Sequence, residues 1–390
     1  MVLRMLQKLN IGIVGFGCYI PKFRIKIEDI AAANNQNVEL LKSALLISEK
    51  SVPNKDEDAV TIAVEAAKTA IARAEQVSKL LKNNSKTENN ISSESNTSND
   101  AVNNFNKTKI GAIYMGSESH PYAVKSSASI LGEALGIGNN FTAADLEFAC
   151  KAGTAALQMI SGMVMSGIVE YGLAIGADTS QGAPGDALEY SASAGGAAFI
   201  VGTSGKDNAG NEKTAANILY TLSKTTDTPD FWRRNAQKYP THMGRFTGEE
   251  AYFKHVIETT QAMLQETGFK INDFDHIVFH QPNGKFPLTA AKTLCATKEQ
   301  LKFGIVVHEI GNTYSGSCLL GLTNVLENAL PNQRILLTSY GSGSGSDCFV
   351  IETTDLLPET QKIGKKLLNH LSNKVYVNYT QYRQMVEMIH

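Results

Sequence analysis

Four residues in this chain are of types and in settings that could do chemistry together. Cys150 lies in Leu146-Glu147-Phe148-Ala149-Cys150-Lys151-Ala152-Gly153-Thr154, where a strand-like approach meets a cysteine and a run of small residues begins a helix at once. A thiolate at a helix N-terminus is stabilised by free N–H groups and the macrodipole, and it attacks acyl thioesters. The same segment also reads as a small buried hydrophobe at a strand–helix junction. His280 closes the apolar run Ile277-Val278-Phe279 just before Pro282 and Gly284, and strand C-terminal ends are where α/β folds build their sites. Asn312 stands in Ile310-Gly311-Asn312-Thr313-Tyr314-Ser315-Gly316, a glycine-rich loop before a helix. A Cys, a His and an Asn far apart in sequence can combine as a nucleophile with acid/base and electrophilic partners. Glu118, in Gly116-Ser117-Glu118-Ser119 after a buried strand, taken alone reads as an ordinary surface carboxylate.

The elements that must hold these residues alternate between strand and helix. Strands are expected at Asn10 to Tyr19, Ile110 to Met115, Tyr171 to Ala177, Gly196 to Gly202, His276 to His280, Arg334 to Tyr340 and Cys348 to Thr353. Helices are expected at Asp58 to Ala74, Ser126 to Leu135, Gly153 to Ser166, Glu249 to Thr267, Pro287 to Ala296 and Ser317 to Leu330. The strands are apolar throughout rather than alternating, which predicts buried, mostly parallel sheets in an α/β protein. Gly195 to Val201 and Gly345 to Ile351 are alike, a small-residue turn followed by an apolar strand. That similarity divides the chain into two comparable halves, 1–205 and 206–390. Lys82 to Lys109 stands apart as an Asn/Ser-rich surface insertion with too little apolar surface to offset its ordering entropy. Its sequons, Asn96-Thr97-Ser98 and Asn106-Lys107-Thr108, read as accidents of that composition.

Bulk composition narrows the function classes. The chain has 390 residues, 43% of them hydrophobic, with a formal net charge of −2. That length supports a large core, and the balance points to neither nucleic acid nor an anionic membrane as partner. The five cysteines (Cys18, Cys150, Cys295, Cys318 and Cys348) are widely spaced without a CxxC, so neither a disulfide framework nor a zinc site is expected. The four besides Cys150 read as small buried hydrophobes. No secretory signal and no run of about 20 apolar residues is seen, so the expectation is a soluble cytoplasmic protein.

Several longer segments, in order, carry a resemblance: Ile11-Gly12-Ile13-Val14-Gly15-Phe16-Gly17 with Tyr19-Ile20-Pro21, Glu49-Lys50-Ser51-Val52-Pro53, Gly116 to Ser119, Asp230-Phe231-Trp232-Arg233-Arg234, Gly244-Arg245-Phe246-Thr247-Gly248 and Ser339-Tyr340-Gly341-Ser342-Gly343-Ser344. With the Cys150, His280 and Asn312 segments they resemble the thiolase superfamily, and within it the archaeal-type hydroxymethylglutaryl-CoA synthases, over nearly the whole chain outside Lys82 to Lys109. The resemblance implies a thiolase-like five-layer αβαβα fold built from two similar halves. It implies an acyltransferase of the mevalonate pathway that joins acetyl-CoA, acetoacetyl-CoA and water into 3-hydroxy-3-methylglutaryl-CoA through acetyl-Cys150. Glu118 would be the general acid/base and His280 would position and polarise the second substrate. Ser191, Thr247, Asn312 and Ser342 would contact the acyl part. Lys285, with Lys292 further along, would meet CoA phosphates. The oxyanion hole would use the N–H of Cys150 and one from the Gly341 to Ser344 loop.

The same resemblance implies no metal or organic cofactor, a homodimer, and a complex with acetoacetyl-CoA thiolase and a small zinc-ribbon/OB-domain protein. Where many relatives carry an Asp-containing segment, this chain has Asn35-Gln36-Asn37-Val38-Glu39, so no CoA contact is expected there. His120, His242, His255 and His308 match no catalytic position and read as structural or surface residues. The rivals are a ketoacyl synthase that initiates acyl chains with Cys150, His280 and Asn312, and a non-catalytic scaffold of a thiolase assembly. Glu118 and the Phe231-Trp232-Arg233 block speak against the first, and the intact Cys/Glu/His set against the second.

Overall fold

A computed structural model describes residues 6–89, 105–207 and 210–387. Its strands are β1 (Ile11–Tyr19), β2 (Phe23–Lys26), β3 (Glu49–Val52), β4 (Ile110–Gly116), β5 (Thr142–Leu146), β6 (Tyr171–Thr179) and β7 (Ala194–Thr203). They continue with β8 (Ala216–Thr228), β9 (Phe231–Trp232), β10 (Thr241–His242), β11 (His276–Phe279), β12 (Arg334–Thr338), β13 (Gly343–Thr353) and β14 (Val375–Tyr376). Nine of them form one sheet in the order β11-β12-β13-β8-β1-β7-β6-β4-β5. The two half-sheets join where Ile11 to Ile13 of β1 pair with Ile218 to Ala216 of β8.

β1 shows why glycine is needed at the centre. A Cβ at Gly15 would lie 2.1 Å from the Ala70 carbonyl oxygen, and one at Gly17 would lie 2.4 Å from that of Ala66. The strand and the Ala59–Asn89 helix therefore touch backbone to backbone, which only glycine permits. That helix and the Ser127–Leu135 helix cover one face of the first half-sheet, sharing a core with Val14, Ile113 and Ile175. The Ala152–Met165 and Ser317–Asn328 helices lie on the other face, where Leu157, Ile160, Leu319 and Leu322 share one core with Phe16 of β1 and Ile335 and Phe349 of the second half. The Lys254–Thr267 and Lys285–Thr293 helices contribute Val256, Met263 and Ala290 to a core with Ile277, Leu336 and Val350. The result is five layers, helix–sheet–helix–sheet–helix, as the resemblance implies.

Four details differ from the sequence reading. The large sheet is mixed rather than mostly parallel: only β4–β5, β4–β6 and β11–β12 pair in parallel. The short links β6 to β7 and β12 to β13 return the chain without a crossover helix, which gives antiparallel pairs. Strands buried on both faces are apolar in either orientation, so hydrophobicity could not distinguish them. The polar insertion is also smaller than expected. The Ala59 helix runs to Asn89, and Phe105 is buried edge-on against Tyr171, while 90–104, including Asn96-Thr97-Ser98, lies outside the described residues. The helix expected from Pro287 starts at Lys285, because the Asn283 carboxamide accepts the N–H groups of Lys285 and Phe286 at 2.9 and 3.0 Å. Finally, Cys295 is exposed rather than buried, in a left-handed conformation just past the end of that helix. Among the described residues no helix is long and apolar enough to cross a membrane.

Candidate active site

β4 ends at Gly116, where a Cβ would lie 2.1 Å from the Ala152 carbonyl carbon. This close approach brings the loop after β4 onto the start of the helix that follows Cys150. Ala149 reaches the cysteine in the left-handed region, φ +46°, a conformation that costs a non-glycine residue on the order of 1–2 kcal/mol and that clusters at functional sites. The Cys150 thiol is then 3.5 Å from Glu118 Oε1 and donates to it. Burial, followed by the charges of Glu118 and Asp178, pushes the thiol well above its ordinary pKa. The sequence reading expected the helix terminus to favour a thiolate; here burial and two carboxylates outweigh it. The thiol therefore keeps its proton until a base takes it, and Glu118 is in place to do so. Burial, reinforced by Asp178, raises the Glu118 carboxyl as well, against the opposing influences of Cys150 and Arg233.

Asp178, at the end of β6, organises both sides of this pair. Its Oδ1 accepts from the Ser117 hydroxyl at 2.7 Å, the Glu118 N–H at 2.8 Å, and the Ser119 N–H and hydroxyl at 3.1 and 2.7 Å. Its Oδ2 accepts the Ser315 N–H at 2.9 Å. The loop carrying Glu118 is thereby tied to the loop carrying Asn312. Asn312 is buried, and its Oδ1 accepts the Tyr314 N–H at 2.9 Å. Its backbone pairs with the 191–193 segment, Asn312 N–H to the Ser191 carbonyl at 2.7 Å and Ser193 N–H to the Asn312 carbonyl at 2.9 Å. Ala192 and Tyr314 pack around Cys150, with Phe231 against them. Ser191, Asn312 and Cys150 are thus brought together.

An Asp178→Asn substitution replaces an acceptor of five donors with a group that can turn only one oxygen toward them. Buried donors left unmatched cost about 1–3 kcal/mol, so the thermal midpoint should fall. Loss of the like charge beside Glu118 lowers that carboxyl's pKa. On the expectation from the resemblance that Glu118 is the base, the acid limb of the pH–rate profile should therefore move to lower pH.

The second half supplies the opposite wall. His280 is buried at the end of β11, its carbonyl accepting from the Tyr252 hydroxyl at 2.6 Å. Burial lowers its pKa to about 3, so the imidazole is neutral at neutral pH, and its Nδ1 is buried without a hydrogen-bond partner among the described residues. Its ring lies 6.5 Å from that of Tyr340, whose hydroxyl donates to Asp230 Oδ2 at 2.8 Å. Asp230 Oδ1 accepts the Gly343 N–H at 2.7 Å, and the Asp230 carbonyl accepts from the Thr247 hydroxyl at 3.2 Å. This chain of contacts draws Thr247 and the loop of Ser342 toward the Cys150 side, where a Cβ on Gly341 would lie 2.4 Å from the Phe148 carbonyl oxygen. Gly341 and Gly343 have already committed their N–H groups, the former to the Gly345 carbonyl at 2.8 Å. Lys285 and Lys292 stand apart from this cluster, exposed on the Lys285–Thr293 helix, with the 45–48 segment alongside through Gly284 N–H to the Leu45 carbonyl at 2.7 Å.

A cavity of about 120 Å³ opens beside Glu118, lined also by His120, Gln181, Arg233, Lys238 and Tyr314. The His120 ring is held by the Ser127 hydroxyl at 2.9 Å, which fits its structural reading, although it also lines this cavity. Sequence reasoning missed Asp178, Asp230, Tyr314 and Tyr340. The available signal for Asp178 was a carboxylate closing an otherwise apolar buried strand.

The chain is similar to known proteins in sequence and in fold. The family described as 3-Oxoacyl-[acyl-carrier-protein (ACP)] synthase III C terminal matches residues 264–353. The chain is 51% identical to the hydroxymethylglutaryl-CoA synthase of Archaeoglobus fulgidus over 95% of its own length and 97% of that protein's. It is 50% identical to that of Methanopyrus kandleri over 98% of both. Among solved structures, an HMG-CoA synthase complexed with CoA superposes with a TM-score of 0.78 at 23% identity, covering 97% of this chain and 90% of that one. The 3-oxoacyl-(acyl carrier protein) synthase III of Pseudomonas aeruginosa superposes with a TM-score of 0.72 at 18% identity, covering 89% and 99%. These two structures share the thiolase-like fold; the half-identity to the archaeal enzymes over nearly full length goes further, and the chain belongs to the hydroxymethylglutaryl-CoA synthase family.

Proposed function

We propose that the chain performs its family's reaction, condensing acetyl-CoA with acetoacetyl-CoA and water to 3-hydroxy-3-methylglutaryl-CoA, with Cys150, Glu118 and His280 as the catalytic residues. The observation that carries the residue assignment is the 3.5 Å contact between the Cys150 thiol and Glu118. Glu118 takes the thiol proton as Cys150 attacks acetyl-CoA, and passes it to the departing CoA sulfur. The freed carboxylate removes a proton from the acetyl methyl group, and the carbanion attacks the ketone carbon of acetoacetyl-CoA. His280, kept neutral by burial, donates a hydrogen bond to the ketone oxygen, and the proton held by Glu118 goes to the resulting alkoxide. Water then adds to the Cys150 thioester with Glu118 as base, releasing the product carboxylate and restoring the thiol.

The Cys150 N–H and one from Ser342 or Ser344 are the oxyanion donors in this reading, since Gly341 and Gly343 are committed elsewhere. Ser191, Thr247, Asn312 and Ser342 border the acyl site, and exposed Lys285 meets the CoA phosphates. No cofactor beyond the CoA of the substrates is required. A ketoacyl synthase has no use for a carboxylate on its nucleophile, and Glu118 favours the present reading over that rival.

The test is to incubate the protein with acetyl-CoA alone and weigh the Cys150 peptide, then add acetoacetyl-CoA and follow the product. One acetyl group on Cys150, discharged as product, supports the reading; active protein with no adduct overturns it. In a His280→Ala variant, acetylation of Cys150 should proceed normally while condensation falls by on the order of 10²-fold, the loss of one electrophilic donor. Transient kinetics of the two half-reactions measures this.

Two similar halves, 1–205 and 206–390, and a homodimer complete the proposal. β5 is the edge of the large sheet and its Thr142 and Ala143 are exposed, an unpaired edge that a second copy would cover. A larger complex with acetoacetyl-CoA thiolase and a zinc-ribbon/OB-domain protein belongs to the same reading. Native mass measurement of co-purified material tests both, and a monomer would count against them.

A further inference from the structure

Lys50 of β3 carries its charged group into the wall of the acyl site. It is fully buried. Its ammonium donates to the carbonyls of Glu189 and Ala192 at 2.6 and 2.8 Å, and to the Tyr382 hydroxyl at 3.0 Å. Its stem packs on the other arm of the same wall, since a Cβ on Gly311 would lie 2.9 Å from Lys50 Cβ and 2.7 Å from the Ser191 carbonyl oxygen. The neighbouring Ser51 hydroxyl accepts the Ala194 N–H at 3.1 Å. β3 thus holds the 189–194 segment on one side and the approach to Asn312 on the other. Ala192 is the residue of that segment that packs against Cys150.

We propose that Lys50 is a positioning residue for the condensation, fixing the Ser191–Ala192 backbone against acetyl-Cys150 and linking it, through Tyr382, to the Tyr379–Glu387 helix near the C-terminus. This rests on the reading of the reaction given above. Three donors meet three acceptors only while the amine is protonated, and charge-assisted bonds are the stronger ones. The protonated form is therefore the working one.

Tyr382 extends the link. With Lys50 donating to its oxygen, its own proton is free for Gln181 Oε1, 3.5 Å away, and Gln181 lines the cavity beside Glu118. When Lys50 loses a proton, its lone pair competes for the Tyr382 proton and Gln181 is released. Burial lowers the Lys50 pKa to about 7, with Glu189 opposing and Arg383 assisting, so this exchange falls in the working range. The charged groups facing Lys50 are Glu189 on the Ala187–Tyr190 turn and Arg383 beside Tyr382 on the C-terminal helix. Glu189 is itself held by Asn34, Gly185 and Tyr379 at 3.0, 2.7 and 3.1 Å, with Arg383 at 3.6 Å. On β3 itself, Glu49 is occupied by Lys374 at 2.8 Å, Tyr376 at 2.7 Å and Arg24 at 3.9 Å.

The experiment compares the full-length wild type with Lys50→Met and Tyr382→Phe, measuring kcat, the KM of both CoA substrates and acetylation of Cys150 across pH 5.5 to 9, a range set to bracket the value of about 7. Lys50→Met should lower kcat roughly tenfold or more, the scale of small misplacements at a reacting centre, with KM changed by less than about twofold, because the Lys285 rim is untouched. The ratio of wild-type to Lys50→Met kcat cancels the ionisations of Cys150 and Glu118 that both proteins share. It should be largest at low pH and shrink as pH rises through the Lys50 ionisation. Tyr382→Phe removes an acceptor of the ammonium, so the fall in its own kcat with rising pH should begin at lower pH than in wild type. Folded Lys50→Met with wild-type kcat, or a ratio independent of pH, would overturn the proposal. If Lys50→Met does not fold, an unshifted profile in Tyr382→Phe overturns it instead. A wild type that forms no acetyl-Cys150 would sink the underlying reaction; a wild type that does, beside variants that match it, sinks only the role of Lys50.

Discussion

Replacing Cys150 with alanine should abolish condensation, by at least ~10⁴-fold, the scale seen when a covalent nucleophile is removed and only binding and oxyanion contacts remain. The expectation is specific because the site should survive the change. The Cys150 thiol donates a hydrogen bond to Glu118, and its neighbours Ala192, Tyr314 and Phe231 are apolar or aromatic. Alanine leaves a small void and removes a thiol that burial and two carboxylates already penalise when ionised. Thermal stability should change by no more than about 1–2 kcal/mol, near the cost of deleting a small buried group. Acetoacetyl-CoA should still bind, because His280 and the second-half wall are intact. Product formation and peptide mass after incubation with acetyl-CoA check the result together. Full activity in this variant would mean that another protein in the preparation was responsible.

Glu118→Gln should separate the two half-reactions. The amide is isosteric and keeps an oxygen near Cys150, but it cannot accept a proton. Acetylation, in which the carboxylate assists a thiol, should slow by about 10²-fold, whereas carbon–carbon bond formation, which needs a base to remove a carbon-bound proton, should lose about 10³–10⁴-fold. Acetyl-Cys150 should therefore accumulate and persist after acetoacetyl-CoA is added, which mass measurement of the intact protein over time will show. The pH limb belonging to Glu118 should vanish as well. Removing its charge also lowers the pKa of Cys150, since Glu118 is the second-largest cause that raises it; any residual acetylation should then reach its plateau at lower pH than in wild type. If acetyl-Cys150 in the variant turned over normally with acetoacetyl-CoA, the base would have to be another group lining the cavity, with His120 the first to examine.

The parts of this site that are local in sequence were legible there. Cys150, His280 and Asn312 each sit at the end of an apolar run or in a small-residue loop, and chain patterning reveals such places; Glu118 reads alone as a surface carboxylate, and the resemblance is what singled it out. Strand and helix positions followed from hydrophobic runs. What patterning could not reveal was which groups hold those four. Asp178 follows the apolar run Tyr171 to Ala177, and nothing in the run announces the five donors, drawn from 117–119 and from 315, that surround it. Asp230 lay inside a segment noted for its resemblance, yet its bonds to Tyr340 and Gly343 span more than a hundred residues. Lys50 lay inside another such segment with no role given to it, and lysine is seldom buried; the fold is what shows two carbonyls and a tyrosine oxygen around it. Strand direction was misread for a related reason, since burial on both faces erases the alternation that separates antiparallel from parallel pairing. The thiol's ionisation was misjudged because a helix terminus is visible in sequence and a neighbouring carboxylate from 32 residues away is not.

The reach of Asp178 has a consequence for the chain during synthesis. Cys150 and Glu118 leave the ribosome early, but the N–H that Asp178 holds through its second oxygen belongs to Ser315, 137 residues later, and the Ser315 hydroxyl also closes onto the Gly116 carbonyl, 199 residues back, at 2.9 Å. Four of the donors on Asp178 come from 117–119 and are available early; the tie between the Glu118 loop and the second half closes only once Ser315 has been made. A truncated product that ends before Ser315 holds Cys150 and Glu118 without the contacts that tie their loop to the second half.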